Sequence, residues 1–418
     1  MKHLSRTFDT QMRRVPALIR RLRHRLGEKD VHAVRVALRR SRSTALALRG
    51  VDPNPAWRDV GRMSKRVFQA LGELRDVQVS RARIDSLVAS GVTSPMRLVQ
   101  AIAHRELAAC RRARRAVENF DVASWRRLAG QLEHRLTAIA PNDLAARSLV
   151  WAEVQDVSQC HADALQRPTT ERWHALRKAL KRLRDDVACF APSLHAAWDA
   201  SLRELQALLG DVHDVDQLRA FVEDARTHRD TSADWTTLQR ALARERRTRL
   251  EAYRARTAGP NSPIRSWLRD VLPRDGSVSA LALAQLKAAA ESMGADPHRV
   301  DAVVRTAEHL FGESAGRIRG RKDEAHAILT AAAALATVRP ARASRSAKSA
   351  ARFIRTLAVP PGWTPQQMTL VSLIVRQTRR KNPAARGRRL GTLTPADRAM
   401  VTTCGDVIRM AMNSAGPT

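Results

Sequence analysis

Two segments of the 418-residue chain share a pattern of histidine and basic residues that could bind anionic groups. Residues 32–42 read HAVRVALRRSR, and residues 174–184 read HALRKALKRLR. Every basic position of the first segment is also basic in the second. Guanidinium and ammonium groups donate charge-assisted hydrogen bonds to phosphate oxygens, and arginine can donate two at once. The two segments therefore indicate a site for a ligand that carries several phosphates.

The spacing of these basic residues places them on one face of a helix. At about 100° per residue, the basic positions of each segment fall within an arc of roughly 80°. Apolar positions occupy the adjoining arc, so each basic stripe borders the predicted core. The first basic stripe is His32, Arg35, Arg39 and Arg42, beside Val31, Val34, Leu38 and Ala45. The second basic stripe is His174, Arg177, Lys181 and Arg184, beside Trp173, Leu176, Leu180 and Val187.

Two interpretations of the basic stripes are open at this point. The cations could form ion pairs with acids on neighbouring helices, for which the candidates are Glu73, Asp76, Asp211 and Asp214. Alternatively, two stripes that face each other across a groove could hold a linear polyanion through charge-assisted hydrogen bonds. The occurrence of two matched stripes favours the second interpretation.

The helices that carry the stripes belong to a larger internal repeat. Residues 71–77 read LGELRDV, and residues 209–215, which lie 138 positions later, read LGDVHDV. The stripe segments themselves are 142 positions apart. Repeats of this length indicate a duplicated helical unit. Two such halves are expected to be related by a pseudo-two-fold axis, so that their matching helices face a shared groove.

The net charge of the chain points to a polyanionic partner. The 74 lysine and arginine residues exceed the 41 aspartate and glutamate residues, which gives a net charge of +33. A field of one sign and this size attracts nucleic acid, anionic membranes or inorganic polyphosphate. Aromatic residues make up only 4% of the chain, whereas proteins that bind single-stranded nucleic acid usually stack bases on aromatic side chains. The composition therefore favours an anion without bases.

The fold class is predicted to be all-α. The 18 glycines and 18 prolines are sparse and clustered, and helix-forming residues recur at helical spacing between the clusters. We expect a first domain over residues 1–258 with repeats at about 10–140 and 150–256, a linker at 259–278, and a helical domain at 279–418. Net charges of +20 for residues 1–276 and +13 for residues 277–418 make both lobes basic.

The paired stripes and the two leucine–glycine motifs resemble a known family, the CHAD domain, which is named for a histidine in an all-helical domain. The resemblance covers roughly residues 10–256 and implies two pseudo-symmetric helical bundles around a basic cavity that binds inorganic polyphosphate. The two leucine–glycine motifs differ at one basic position, where His213 of the second repeat corresponds to Arg75 of the first. By position, the resemblance assigns phosphate contact to His32, Arg35, Arg39, Arg40, Arg42, His174, Arg177, Lys181, Arg182 and Arg184. Further candidates are Lys65 and its counterpart Arg203, with Arg105 and Arg244 on later helices.

The second lobe resembles the HD-like carboxy-terminal domain of the exopolyphosphatase and guanosine-pentaphosphate phosphohydrolase family. The similarity rests on residues 300–311, 331–336, 370–376 and 407–411. Where that family often reads Leu-His-Asp-Ile-Gly, residues 335–339 read LATVR, so the resemblance is to a degenerate domain without the metal-binding pair. Residues 325–396 contain no acidic residue, which predicts a second basic surface with an exposed loop near Lys381, Asn382 and Pro383.

No pattern in the sequence predicts catalysis, a cofactor or a metal site. Hydrolysis of a phosphoanhydride usually requires a metal and carboxylates, and neither a Walker loop nor a Gly-x-Gly-x-x-Gly motif is present. Asp211, Asp214 and Asp216 could offer oxygen ligands, but they lack the glycine and terminal glutamate of a calcium loop. We therefore expect a protein that is not an enzyme.

The sequence as a whole predicts a non-catalytic polyphosphate-binding protein. Because the first residues lack the apolar core of a signal peptide and the longest apolar runs are short, we expect a cytoplasmic protein, associated with polyphosphate granules and without membrane contact. A homodimer is compatible with the sequence. The alternatives are a nucleic-acid-binding protein of the nucleoid and a phosphatase that processes polyphosphate.

Overall fold

The protein folds into α-helices throughout the part of the chain that the structure describes. The computed structural model describes residues 2–138, 143–226, 233–274, 276–314, 321–338, 347–379 and 393–415. Within these ranges there are sixteen helices and no β-strand, which confirms the all-α prediction. None of the described helices has both the length and the apolar character that a membrane span needs.

Nine helices form the first lobe, and eight of them repeat as two sets of four. The first set is α1 (Lys2–His24), α2 (Glu28–Leu48), α3 (Ala56–Ala89) and α4 (Met96–Glu118), followed by α5 (Val122–Ala138). The second set is α6 (Asp143–Gln166), α7 (Thr170–Phe190), α8 (Pro192–Ala225) and α9 (Ala233–Thr257). The equivalent helices α2 and α7 both have 21 residues, and α3 and α8 both have 34.

The two sets pack in the same order and meet through their equivalent helices. In each set the first helix packs on the second, the second on the third and the third on the fourth. Helix α2 contacts α7, and α3 contacts α8, as expected for halves related by a pseudo-two-fold axis. All eight apolar positions beside the basic stripes are buried, which confirms the prediction that the stripes border the core.

Helix α10 (Pro263–Asp270) lies inside the interval that was predicted to be a linker. Its Ile264 and Trp267 are buried in the core of the first lobe, and the Trp267 ring lies 5.9 Å from that of Trp198. The segment is therefore packed against the first lobe. The limits of the predicted domains stay a prediction.

Six further helices form the second lobe around a central, buried helix. They are α11 (Val278–Ser292), α12 (Pro297–Ser314), α13 (Lys322–Ala336), α14 (Ala347–Ile354), α15 (Pro365–Thr378) and α16 (Pro395–Ser414). Helix α13 is buried from Ile328 to its end, because its alanines let α11, α12, α15 and α16 approach closely. The predicted exposed loop near Lys381, Asn382 and Pro383 lies outside the described residues, as do residues 339–346 of the acid-free segment.

Helix α11 takes part in the hydrophobic cores of both lobes. Its Leu281 and Ala284 pack in the first core, and its Leu286 and Ala289 pack in the second. A buried hydrogen bond of 3.1 Å from Gln285 Nε2 to the Gly50 carbonyl ties the helix to the turn between α2 and α3. The two lobes are therefore joined by shared packing as well as by the chain.

Candidate polyanion-binding site

A cavity of about 1120 Å³ lies where α2, α3, α7 and α8 meet. Among the described residues that line it, eleven are arginine or lysine and two are carboxylates, Glu73 and Asp76. Both signature helices contribute, so the shared basic groove predicted from the duplication is present. The lining cations are Arg35, Arg39, Arg42, Arg49, Arg58, Arg62, Lys65, Arg177, Lys178, Lys181 and Arg182.

The structure brings eight of the fourteen candidate residues to this cavity. Those eight are Arg35, Arg39, Arg42, Lys65, His174, Arg177, Lys181 and Arg182. The remaining six, which do not line it, are His32, Arg40, Arg105, Arg184, Arg203 and Arg244.

The innermost cations of the cavity are incompletely paired. Arg35 Nη1 and Arg177 Nε are buried and have no hydrogen-bond partner among the described residues. Burial lowers the pKa of both guanidinium groups, and the nearby charge of Asp76 opposes this effect in each. Burying a cation without a hydrogen-bonded counter-charge is costly, so an anion placed here would be strongly favoured.

Lys181 projects into the same group of cations. Burial, followed by repulsion from Arg177, Arg39 and Arg35, lowers the pKa of its ammonium group to about 7. Arg35, Arg177 and Lys181 thus form a central cation cluster to which both repeats contribute.

We predict that ligand binding at high pH takes up a proton at Lys181. A bound polyanion should raise the pKa of Lys181 back towards its usual 10.5, so binding near pH 8.5 should take up about one proton per site. Affinity should then fall by up to about tenfold per pH unit above pH 7. Calorimetry in buffers of different ionisation enthalpy measures this uptake. Uptake that persists unchanged in Lys181→Met would contradict the assignment.

The same pKa shift has a defined effect on the free protein. Because the folded-state pKa of Lys181 lies below its unfolded value, the unfolded chain binds more protons between these two values. The contribution of Lys181 to the free energy of unfolding therefore rises with pH from about 7 to 10.5.

Gly72 of the first leucine–glycine motif makes room for Arg35. A Cβ atom at position 72 would lie 2.6 Å from Arg35 Nη1. The ring of Phe68, one turn earlier on α3, supports the same guanidinium at 5.6 Å and that of Arg42 at 5.1 Å. The motif therefore lets one arginine of the stripe approach α3 closely.

We predict that Gly72→Ala weakens polyanion binding, whereas Gly210→Ala does not. Gly210 is the repeat counterpart of Gly72, and no atom outside its own backbone surroundings lies within 4 Å of a Cβ built there. Alanine should stabilise the helix at position 210 by about 0.5–1 kcal/mol. At position 72 the methyl group should displace the Arg35 guanidinium and reduce affinity about 3- to 10-fold. Titration and urea unfolding of both variants test this, and equal affinities would contradict the role of Gly72.

Three arginines of the two basic segments also form ion pairs, although with acids other than those expected. Arg39 donates from Nε to Asp185 Oδ2 at 2.7 Å and from Nη2 to Oδ1 at 3.1 Å. Arg40 Nε lies 3.5 Å from the same carboxylate, and Arg182 pairs with Glu153 and Asp156. The ion-pairing interpretation is therefore correct for these arginines. Arg40 was expected to contact phosphate, but it lies outside the lining and points to Asp185.

Of the four acids named as partners, none pairs with a stripe residue. Glu73 lies 2.8 Å from Arg112, and Asp211 lies 3.2 Å from Arg249. Asp76 and Asp214 act on the central cation cluster through space, and burial raises the pKa of each carboxyl group.

Arg184 and Arg203 were expected at the site, but both are engaged by one acid on α8. Asp199 Oδ1 lies 3.3 Å from Arg184 Nη2, and its Oδ2 lies 2.9 Å from Arg203 Nη2. Arg184 also donates to Gln206 at 3.3 Å. These contacts hold the two side chains on the α7–α8 face, away from the cavity lining.

Arg105, Arg244 and His32 lie outside the cavity for reasons of packing. Helices α4 and α9, which carry Arg105 and Arg244, supply no lining residue, because they pack on the outer sides of α3 and α8. Arg105 lies over the Phe221 ring at 4.7 Å and pairs with Asp224. Arg244 is exposed. His32 is exposed on α2, and burial followed by the charge of Arg75 lowers its pKa.

Four lining cations were missed in the sequence: Arg49, Arg58, Arg62 and Lys178. Arg58, Arg62 and Lys65 are spaced by four and three residues, so they share one face of α3. That spacing could have identified Arg58 and Arg62 once Lys65 had been singled out. Arg49 caps the carboxyl end of α2, beyond the stripe pattern.

Two histidines of the second repeat form a stacked pair at the edge of the cavity. The Nδ1 atoms of His174 and His213 lie 3.0 Å apart, and the ring centroids are 4.6 Å apart. Burial lowers the pKa of His174 to about 4 and that of His213 to about 3, with neighbouring cations adding to both shifts. Both imidazoles are therefore neutral at pH 7, and one donates to the other.

The described residues offer no arrangement suited to a metal ion. No group of three or more histidine, cysteine, aspartate or glutamate residues among them could hold one. Asp216, one of the three aspartates weighed as oxygen ligands, pairs instead with Arg246 at 2.6 Å.

A duplicated four-helix unit whose central helices enclose a cationic cavity defines an all-helical class of domain. The CHAD domain family matches residues 7–223, which is more than half of the chain, and the protein belongs to this family. The matched range ends within α8, so α9 and the second lobe lie beyond it. No curated protein and no solved structure matches the chain. The HD-like resemblance of the second lobe receives no support from these comparisons and stays a prediction.

Proposed function

We propose that this protein binds inorganic polyphosphate in the cavity between α2, α3, α7 and α8, and that it does so without hydrolysing the polymer. The observation that carries the proposal is the central cation cluster, Arg35, Arg177 and Lys181, with its unpaired, buried donor atoms. A chain of phosphates offers closely spaced oxygens along its whole length, so it can satisfy several of these donors at once.

The shape and lining of the cavity favour polyphosphate over nucleic acid. Two aromatic residues line it, but Trp57 is almost fully buried, and Phe68 is already contacted by Arg35 and Arg42. Neither ring is a free platform on which a base could stack. A nucleic-acid duplex would meet exposed cations such as Arg58, Arg62 and Lys65 before the buried donor atoms of the inner arginines.

A role in binding agrees with the chemistry of the two lining carboxylates. Glu73 is held in an ion pair with Arg112, and Asp76 lies in the field of Arg35 and Arg177. The proposal therefore includes no turnover of the bound polymer. Retention on polyphosphate granules in the cytoplasm would follow from the proposed affinity for the polymer.

The second lobe is proposed to provide an additional basic surface for the polymer. Its degenerate HD-like character and its acid-free segment are inferred from the sequence. If each lobe contacts the same long polymer, each raises the effective concentration of polymer at the other, and retention becomes tighter than either contact alone would allow.

The test is a salt titration of binding to long-chain polyphosphate and to duplex DNA at equal charge concentration. We expect polyphosphate to be preferred at physiological salt and to displace DNA more readily than the reverse. Affinities that are equal and that fall together with salt would reject the proposal in favour of nonspecific nucleic-acid binding. Release of orthophosphate by highly purified protein would reject the non-catalytic part.

A further inference from the structure

The two halves of the first lobe differ at the positions around the cavity. Helix register is fixed by burial: Val60, Val67 and Leu71 of α3 are buried, as are their counterparts in α8, which are Trp198, Leu205 and Leu209. Residues of α3 therefore correspond to residues of α8 that lie 138 positions later. Residues of α2 correspond to those of α7 that lie 142 positions later, as in the basic stripes.

In this register, three lining arginines of the first half are alanines in the second. The counterparts of Arg49, Arg58 and Arg62 are Ala191, Ala196 and Ala200. In the first half these arginines extend the cationic lining from the centre to the turn between α2 and α3. The second half offers no charge at the same three positions.

Two further cations of the second half, Arg184 and Arg203, are paired with an acid that the first half lacks. Asp199 stands where the first half has Gly61, and it pairs with both Arg184 and Arg203. In the first half, Arg42 donates to the Gly61 carbonyl at 3.0 Å and to Ser64 at 3.1 Å, and neither partner carries a charge.

A second substitution, on α7, adds another acid to the second half, and this acid pairs with arginines of the first half. Asp185 stands where the first half has Ser43, and it accepts from Arg39 and lies near Arg40. Along the α2–α3 end of the cavity, Arg49, Arg58 and Lys65 form no ion pair with a described residue, and Arg62, whose side chain is exposed, pairs with Asp59 at 3.0 Å.

We infer that the polyanion runs from the central cation cluster along the first half only, and that Asp199 keeps the mirror-related face of the second half from binding it. This inference rests on the proposed function. It assigns a binding role to Arg49, Arg58 and Arg62, and it assigns to Asp199 the role of a specificity-determining residue that blocks a second path. The ligand therefore has one route out of the centre, towards the α2–α3 turn.

The experiment compares the two halves by exchanging their residues. Arg58→Ala with Arg62→Ala gives the first half the residues of the second, and Arg184→Ala with Arg203→Ala removes the mirror-related cations. We expect the first pair to weaken binding of long-chain polyphosphate by about 10- to 100-fold and to reduce the dependence of affinity on salt. We expect the second pair to stay within about twofold of the wild type.

Two single variants test Asp199 directly. Asp199→Asn should free Arg184 and Arg203 and raise affinity for long polymers about 3- to 10-fold at low salt. The reverse exchange, Gly61→Asp, should lower affinity by a similar factor, and it is sterically open because no atom lies within 4 Å of a Cβ at that position. Helical circular dichroism checks that each variant is folded.

The outcomes separate this inference from the function on which it rests. Equal losses from the two double variants, with normal wild-type binding, would overturn the one-sided path and leave polyphosphate binding intact. An unchanged affinity of Asp199→Asn would overturn the blocking role of Asp199. Failure of the wild type to bind polyphosphate would overturn both the inference and the proposed function.

Discussion

Replacing Arg35 and Arg177 together by methionine is expected to weaken polyphosphate binding by about 10²- to 10⁴-fold, because each charge-assisted hydrogen bond contributes about 1.5–3 kcal/mol. Both guanidinium groups belong to the central cation cluster, and each carries a buried nitrogen that has no hydrogen-bond partner in the described part of the chain. Methionine keeps most of the side-chain length and removes the charge.

The matched control is the double variant Arg105→Met and Arg244→Met. It removes the same charge from the same lobe, but from α4 and α9, which do not line the cavity. Direct titration at several salt concentrations should show at most a threefold change for this control. Similar losses in the two double variants would mean that net charge, rather than the cavity, determines binding. Collapse of helical circular dichroism in the first variant would mean that Arg35 and Arg177 are structural.

Replacing Asp52 by alanine should destabilise the first lobe by about 3–5 kcal/mol, because it leaves buried donors without a partner. The Asp52 carboxylate is fully buried in the turn between α2 and α3. It accepts two hydrogen bonds from Arg135, at 2.6 and 3.0 Å, and one from Trp57 Nε1 at 2.7 Å. Arg135 also donates to the Ser292 carbonyl at 2.9 Å, so this network extends to α11.

Urea unfolding measures the effect, with Asp59→Ala as the control. Asp59 lies seven positions later on α3 and pairs with Arg62, whose side chain is 77% exposed. An exposed pair of this kind contributes at most about 1 kcal/mol. A loss of less than 1 kcal/mol in Asp52→Ala would show that the buried network is not a major source of stability.

The fold and the centre of the site could be predicted from the sequence because both depend on periodicity. Helical spacing determines which residues share a face, and the repeat shows that the pattern occurs twice. Arg35, Arg177 and Lys181 were found in this way, since each adjoins a buried apolar position on its own helix.

The partners of the cations could not be predicted, because they depend on contacts between helices. Arg182 pairs with acids on α6, and Arg39 of the first half pairs with Asp185 of the second. Nothing in the local sequence indicates which helix lies opposite. Arg105 and Arg244 were predicted at the site for the same reason. The sequence shows their charge, but it does not show that α4 and α9 pack where they supply no residue to the cavity.

The sequence revealed only part of the difference between the two halves of the first lobe. The exchange of Arg75 for His213 stood out because it falls inside a motif. The exchange of Gly61 for Asp199 lies ten residues before the leucine–glycine motif. Its effect could be recognised only from the structure, in which Arg184 and Arg203 share the Asp199 carboxylate.

Helix α11 has a consequence for how this protein could have been assembled during evolution. One side of the helix fills the first core with Leu281 and Ala284, and the other fills the second with Leu286 and Ala289. Recombination between the lobes would leave one of them with an open hydrophobic face. A foreign domain joined after α10 would have to supply apolar side chains that replace Leu281 and Ala284 in the first core. The lobes are therefore expected to be inherited together, as a single unit of exchange.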